Sequence, residues 1–185
     1  MKPAAVNAVV AATCPGQAAA MSSTPRPCPE PLCADHAAAV LAVERDNRAY
    51  FARTVPDRGD DYFTHFTDRY ARLLEYQAAG TDRMHVLVDS AGAVLGRFNL
   101  VEIADGAADL GFRVARSAVG RGLATATVAR LIGPAATDYR LTVLRARTTV
   151  SNPVSRTVLE RNGFVRVDDI DGAPARAFCR ELTDG

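Results

Sequence analysis

The feature that most constrains this chain is a turn with two glycines one residue apart, Gly120 and Gly122, between two apolar segments. The segment before the turn, 110–114, is typical of a strand, and the segment after it, 123–132, has helical spacing. Glycine lets backbone N–H groups approach a ligand closely because it has no Cβ. A helix start adds unpaired N–H groups and the positive end of its dipole. The turn is therefore interpreted as a cradle for a pyrophosphate group.

The turn differs from two better-known phosphate-binding patterns. A dinucleotide fingerprint needs a third glycine and an acidic residue about 20 residues further on. Here Ala or Thr stands at the third position, and Asp138 lies too close to the turn. The Gly-Lys-Ser/Thr of a P-loop is absent from the sequence. A glycine-rich connection that binds nothing is the alternative, and the segments on either side decide between the two.

Composition limits the classes of protein and partner. A chain of 185 residues with 48% hydrophobic and 23% charged residues suits one soluble domain with a full core. A net charge of +1 gives no long-range attraction to nucleic acid or to an anionic membrane, and neither is expected as a partner. The four cysteines show no Cys-x-x-Cys pair and no histidine at zinc spacing, so we expect free thiols, a cytoplasmic protein and no bound metal.

The N-terminal segment is expected to lie outside the domain. Residues 1–21 are rich in alanine and faintly resemble a secretory signal after Lys2, but Asn7 and Pro15 interrupt the apolar run. We expect a disordered leader over residues 1–21, with Met21 as an alternative start, and a single domain over residues 22–185.

The rest of the sequence predicts alternating elements. Helices are predicted from Asp35 to about Asn47, from Asp60 or Asp61 to Gly80, over 122–132 with an end at Gly133-Pro134, and from Asn152-Pro153 to Gly163. Strands are predicted over 85–88, 94–101, 108–114, 141–148, 164–167 and 175–182. Turns are predicted at Asp105-Gly106 and Asp171-Gly172. Gly111 inside a strand predicts a β-bulge. This order predicts an α/β fold with a mixed sheet and helices on both faces. The glycine turn then lies at the carboxyl end of a strand, where α/β sheets bind ligands.

Two of these segments resemble the motifs of a known family. Residues 109–114 with 119–124 resemble motif A of the GNAT acetyltransferases, and residues 151–156 with 159–164 resemble their motif B. The Asn-x-x-Ser and Asn-Gly-Phe pieces, and upstream Asn47-Arg48 with Pro56-Asp57-Arg58, resemble the RimJ/RimL branch, which acetylates protein N-termini and some small amines. The resemblance covers about residues 35–182. It implies a largely antiparallel, seven-stranded twisted sheet, acetyl-CoA as co-substrate, and a monomer or homodimer.

The resemblance also implies which residues bind the donor. Backbone groups of Phe112, Arg113 and Val114 would meet the pantetheine arm, which Asn152 would also touch, and Ser155 would lie near the thiol. Backbone N–H groups of the turn would hold the pyrophosphate, from Val119, Gly120, Arg121, Gly122, Leu123 and Ala124. The family usually has Gln or Arg where Val119 stands, which implies adjusted binding. Arg121 is expected to add a charge-assisted phosphate contact.

Acetyl transfer to an amine sets further requirements. A base must deprotonate the ammonium, and the thioester oxygen needs an N–H donor, for which we expect the backbone of Phe112 or Val114. The resemblance makes Ser155 the proton donor to the leaving thiolate, although a serine in a first helical turn is also ordinary. Glu102 and Asp109 are candidate bases; the alternatives are solvated strand charges and a base relayed through water. The resemblance predicts acceptor contacts from the loops before the second helix, at Asn47, Arg48, Tyr50 and Arg58; a solvated loop is the alternative.

The sequence therefore favours an acetyl-CoA-dependent N-acetyltransferase. Its acceptor is a protein N-terminus or a small-molecule amine, including an amine antibiotic. The alternative is a non-catalytic module of the same fold that binds CoA or another protein.

Overall fold

The computed structural model describes residues 27–169 and 175–182, and its centre is one seven-stranded sheet. The strands are β1 (Pro29–Pro31), β2 (Arg83–Val88), β3 (Val94–Ala104), β4 (Ala107–Val114), β5 (Val143–Thr149), β6 (Val165–Asp169) and β7 (Ala175–Glu181), in the order β1-β2-β3-β4-β5-β7-β6. Every neighbouring pair is antiparallel except β4 and β5, which are parallel. The predicted mixed, largely antiparallel sheet is confirmed.

Six α-helices cover the two faces of the sheet in the described part of the chain. They are α1 (Ala37–Asp46), α2 (Arg48–Phe51), α3 (Gly59–Thr64), α4 (Phe66–Ala79), α5 (Leu123–Thr137) and α6 (Pro153–Arg161), with short 3₁₀ turns at Ala34–His36 and Arg116–Ala118. Successive strand residues point to opposite faces. Val86 of β2 accordingly packs with Val40 and Tyr70 of the first helices, while Leu87 packs with Val128 of α5 and Leu159 of α6.

Two helix boundaries follow from local chemistry as predicted. Gly80 ends α4 in the left-handed conformation with φ 81°, a conformation that glycine adopts without steric cost. Asn152 precedes α6 and its side chain accepts a hydrogen bond from the Ser155 N–H at 3.0 Å, while Pro153 occupies the first helical position, where no N–H is needed.

Two predicted helices have different bounds. The helix predicted over 60–80 is two helices, α3 and α4, which meet at His65. The helix predicted to end at Gly133-Pro134 continues through both residues to Thr137. Pro134 removes one backbone hydrogen bond, but Leu131 and Ala135 are buried against the sheet on either side of it. Burial of this apolar face outweighs the lost hydrogen bond and carries the helix onward.

The bulge predicted at Gly111 is wrong. Gly111 pairs regularly with Asn99, and the register of β3 and β4 shifts instead between Val101 and Ala104. Glu102 lies in that shift with φ 55°. Its N–H bonds Asp82 Oδ1 at 3.1 Å and the next N–H, of Ile103, bonds a loop carbonyl at 2.9 Å. Over this stretch β3 has one residue more than β4, and the loop before β2 supplies the hydrogen bonds of the two N–H groups there.

The remaining predictions concern cysteines and the chain ends. Cys28 and Cys179 are free thiols, but Cys33 is disulfide-bonded, so the prediction of free thiols is wrong for Cys33. The leader over 1–21 and the turn at Asp171-Gly172 lie outside the described residues. Within residues 27–169 and 175–182, no helix is long and apolar enough to cross a membrane.

Candidate active site

The central strands of the sheet separate and leave a cavity between them. The parallel pairing of β4 and β5 ends at Asp109 and Arg145, although β4 continues to Val114 and β5 to Thr149. A cavity of about 330 Å³ opens where the strands part, and both strands line it, together with α6 and the segment after α2. Its walls are thus the two halves of a split sheet.

One wall of the split is an open strand edge. The Ala115 N–H donates to the Leu95 carbonyl at 2.8 Å, and antiparallel strands bond through alternate residues. Arg113 and Gly111 therefore bond β3, whereas the N–H and C=O groups of Phe112 and Val114 face the open side. A strand edge of this kind binds an extended chain that carries amide groups.

The glycine turn continues from this edge. Gly120 and Gly122 have φ of 78° and 70°, values that favour glycine, and a Cβ built on either would meet nothing within 4 Å. Gly122 precedes α5, and no side chain of the described residues caps that helix. The N–H groups of its first turn, including Leu123 and Ala124, are therefore available to an anion. Residues 119–122 are all exposed, so a ligand can reach the backbone of the turn.

The start of α6 forms the facing wall. Asn152 and Ser155 both line the cavity, and the Asn152 side chain holds the Ser155 backbone through the helix cap. Thr148 lines it too, and its Oγ1 is buried with no hydrogen-bond partner among residues 27–169 and 175–182. Ser155 therefore belongs to the wall that a ligand in the split would contact, and the Thr148 hydroxyl is an unsatisfied hydrogen-bonding group within that wall.

The two acidic residues predicted as bases do not line the cavity. Glu102 is exposed at the β3 irregularity. The Asp109 carboxylate is 2.7 Å from Arg145 Nε and 3.4 Å from Arg147 Nη2, so strand arginines neutralise it. The structure brings neither carboxylate to Ser155.

The predicted acceptor residues are also dispersed. Arg58 lines the cavity. Asn47 instead accepts the Arg116 N–H at 2.8 Å and so joins the end of α1 to the segment before the glycine turn. Arg48 is paired with Asp57 and Asp60; its hydrogen bond to Asp57 lowers the pKa of that carboxyl and, with the bond to Asp60, raises the pKa of Arg48. The Tyr50 ring lies 5.9 Å from the ring of the next residue and lines no part of the cavity.

A buried charge cluster beside the cavity was missed in the sequence. Glu44 of α1 is 2% exposed, and its carboxylate lies 3.2 Å from Arg97 Nη1, 2.9 Å from Arg113 Nη1 and 3.5 Å from Arg58 Nε. Burial lowers the pKa of Arg113. All three arginines line the cavity. The sequence did carry a signal for this cluster. Arg97 and Arg113 each stand within a largely apolar predicted strand, and Glu44 follows the apolar positions of the first predicted helix.

The geometry fits one class of ligand. A strand edge that binds amides, followed by a helix start that binds an anion, matches a long thiol carrier with pantetheine amides and a pyrophosphate. The fold and the site thus define a CoA-dependent acyltransferase. Residues 30–165 match the acetyltransferase (GNAT) domain family, and the chain belongs to that family. It is an N-acetyltransferase that uses acetyl-CoA.

Solved structures show the same fold at low sequence identity. The ribosomal-protein-S5-alanine acetyltransferase of Vibrio fischeri has a TM-score of 0.76 at 20% identity, over 84% of this chain and 93% of that one. RimJ of Mycobacterium smegmatis, in complex with CoA-disulfide, has a TM-score of 0.73 at 22% identity, over 83% of this chain and 80% of that one. The spermidine N-acetyltransferase of Vibrio cholerae, in complex with CoA and spermine, has a TM-score of 0.69 at 17% identity, over 83% of this chain and 94% of that one. Comparison of the sequence with curated proteins gives no match.

Proposed function

We propose that this protein acetylates the primary amine of a protein N-terminus or of a small molecule by direct attack of the amine nitrogen on the thioester of acetyl-CoA. The observation that carries this proposal is the open edge of β4 at the split, from which the chain runs through a short 3₁₀ turn into the glycine turn before α5. Structures of similar fold include both ribosomal-protein-alanine and spermidine acetyltransferases, which supports both kinds of acceptor. The cytoplasmic location stays a proposal that rests on the free thiols of Cys28 and Cys179, and the disulfide at Cys33 does not support it.

Each part of the split has a role in binding the donor. The open backbone groups of Phe112 and Val114 bond the pantetheine arm, and one of their N–H groups stabilises the charge that develops on the thioester oxygen. The N–H groups of the glycine turn bind the pyrophosphate. Binding both substrates side by side supplies much of the rate.

The chemistry forms a C–N bond and breaks the C–S bond, and the ammonium nitrogen loses two protons. One proton goes to solvent before the attack, and the second, released as the amide forms, replaces the proton that the thiolate receives. The described lining of the cavity contains no carboxylate and no imidazole. We therefore assign removal of the ammonium proton to water, the relay considered above, rather than to Glu102 or Asp109. Ser155, at the start of α6, donates a proton to the leaving thiolate.

Calorimetric titration with acetyl-CoA and CoA, together with thiol release in the presence of amines, tests this proposal. Gly122→Glu places a side chain and a negative charge in the cradle and is expected to raise the Kd for CoA at least about tenfold, or about 1.4 kcal/mol. Gly92→Glu is the matched control, because Gly92 has a similarly positive φ of 82° with nothing near its missing Cβ but lies in the turn between β2 and β3.

The two measurements separate the competing interpretations. Saturable binding with thiol release supports the enzyme. Binding without release for any amine supports the non-catalytic module. Wild-type affinity in Gly122→Glu would place the pyrophosphate elsewhere.

A further inference from the structure

A second cavity meets the first at three polar side chains. It encloses about 360 Å³ between α3, α4 and β3, and it shares Arg58, Arg97 and Asn99 with the cavity in the split. Tyr62 and Phe66 contribute its aromatic wall. A ligand can therefore extend from the split, past these three side chains, into an aromatic groove.

The junction of the two cavities carries excess positive charge. Three guanidinium groups, those of Arg58, Arg97 and Arg113, face the single carboxylate of Glu44, which leaves a formal charge of +2. The side chains of Arg97 and Glu44 are only 5% and 2% exposed, so water screens these charges poorly. A buried charge that lacks a full complement is costly. A ligand with a negative group at the junction would offset this cost.

The acids around this junction are already engaged. Asp57, which lines a small cavity together with Arg58 and Arg113, pairs with Arg48 at 2.6 Å. Asp82 lines the aromatic groove, but its Oδ1 accepts the Glu102 N–H at 3.1 Å. Asp61 lies outside the described lining and pairs with Arg69 at 2.5 Å. The three arginines of the junction therefore keep their excess charge.

Two buried polar atoms at the junction have no partner in the part of the chain that the structure describes. They are Arg97 Nε, a donor, and Asn99 Oδ1, an acceptor. Buried polar groups in proteins are almost always hydrogen-bonded. A carboxylate accepts from the guanidinium, and an amine donates to the amide oxygen. The pair thus matches a ligand that carries both groups.

We infer that the acceptor is a primary amine that also bears a carboxylate: Arg97 and Arg58 bind the carboxylate, Asn99 accepts from the amine, and an aromatic or apolar body lies against Tyr62 and Phe66. The inference rests on the proposed function and specifies its acceptor. A polyamine carries only positive charges and is repelled at this junction. The carboxylate has two sources, the α-carboxylate of a free amino acid and an acidic side chain close to a peptide N-terminus.

Matched acceptors test the inference on the wild-type protein. Thiol release and product mass are measured with phenylalanine, its amide and phenethylamine, with N-terminal peptides that carry Glu or Gln at the second position, and with spermidine. A kcat/KM at least tenfold higher for phenylalanine than for its amide and phenethylamine, or for the Glu peptide than for the Gln peptide, supports the inference. The set that shows the preference identifies the source of the carboxylate. Equal rates within both sets, or preference for spermidine, overturn it while leaving the proposed function intact. No release with any amine overturns both.

Arg97→Met locates the carboxylate, and Arg53→Met, an exposed arginine outside both cavities, is the control. Arg97→Met is expected to raise the KM for the carboxylate-bearing acceptor at least tenfold and to leave the KM for its neutral counterpart and the Kd for acetyl-CoA unchanged. A changed Kd for acetyl-CoA would assign the anion to the donor and overturn the inference. If Arg97→Met fails to fold in a thermal melt, Arg58→Gln, with a side chain 34% exposed, gives the same comparison.

Discussion

At the scale of single residues, Ser155 joins a structural role to the proposed chemical one. Its backbone N–H is fixed by the Asn152 cap at 3.0 Å, and it lines the cavity in the split. If its hydroxyl protonates the thiolate, Ser155→Ala should lower kcat about a hundredfold, the usual scale of general acid catalysis, without changing the Kd for acetyl-CoA. Pre-steady-state and equilibrium measurements on the variant check this.

Ser151→Ala is the control for Ser155→Ala, because Ser151 is exposed one residue before the cap and lies outside the cavity lining. It should keep the wild-type kcat. An unchanged kcat in Ser155→Ala would reduce that residue to an ordinary member of a first helical turn.

His85 carries a prediction about pH. It is 4% exposed, its Nε2 lies 2.9 Å from the Tyr139 hydroxyl, and burial lowers its pKa to about 4. An unfolded histidine titrates near 6.5, so between these values the unfolded chain binds more protons and stability falls as the pH falls. This histidine should account for about 2 kcal/mol of the stability difference between pH 7 and pH 5.

Urea unfolding of His85→Gln at the two pH values checks that contribution. Glutamine keeps an amide that can hydrogen-bond the Tyr139 hydroxyl but does not titrate, so the difference in stability between pH 7 and pH 5 should shrink by about 2 kcal/mol. The same pH dependence in wild type and variant would show that other groups cause it.

At the scale of elements, Asn47 ties the end of α1 to the approach of the glycine turn. Its Oδ1 accepts the Arg116 N–H at 2.8 Å, and its Nδ2 donates to the Val43 carbonyl at 2.9 Å. Loss of this link in Asn47→Ala loosens the cradle and should weaken acetyl-CoA binding about fivefold, from about 1 kcal/mol for one hydrogen bond. Calorimetry gives the Kd directly.

Asn47→Asp separates this role from the acceptor contact that the sequence predicted. Aspartate keeps the oxygen that accepts the Arg116 N–H, so its Kd for acetyl-CoA should stay near that of wild type. If Asn47→Ala instead raises the KM for the amine and leaves the Kd for acetyl-CoA unchanged, Asn47 contacts the acceptor.

At the scale of the whole molecule, Glu44 joins α1 to the central sheet. Its carboxylate contacts Arg97 on β3, Arg113 on β4 and Arg58 before α3. Glu44→Gln leaves these guanidinium groups without their counter-charge and should lower the free energy of unfolding by about 3–5 kcal/mol. Urea unfolding measures this loss, and Asp46→Asn, on the exposed side of the same helix, should change stability by less than about 0.5 kcal/mol.

The result for Glu44→Gln also bears on the ligand. A carboxylate-bearing acceptor should restore part of the lost stability, because it supplies a negative group to the same arginines. Equal stability of Glu44→Gln and wild type would mean that the cluster is solvated and contributes little to the fold.

The amino-acid sequence determined the features that depend on neighbouring residues. The cap at Asn152, the left-handed end of α4 at Gly80 and the glycine turn before α5 arise within a few positions of the chain, where side-chain and backbone preferences act directly. The order of helices and strands followed from apolar periodicity, and the order predicted the sheet with helices on both faces.

Tertiary structure alone decided the features that join distant residues. The bonds from Glu44 to Arg97 and Arg113 span 53 and 69 positions, so no local pattern pairs these side chains. The register shift near Glu102 depends on a loop carboxylate 20 positions away, and the continuation of α5 through Pro134 depends on burial against the sheet. Long-range packing outweighs local preference at these places. The same packing brings Glu44 and the three arginines together and so determines the charge at the junction of the two cavities.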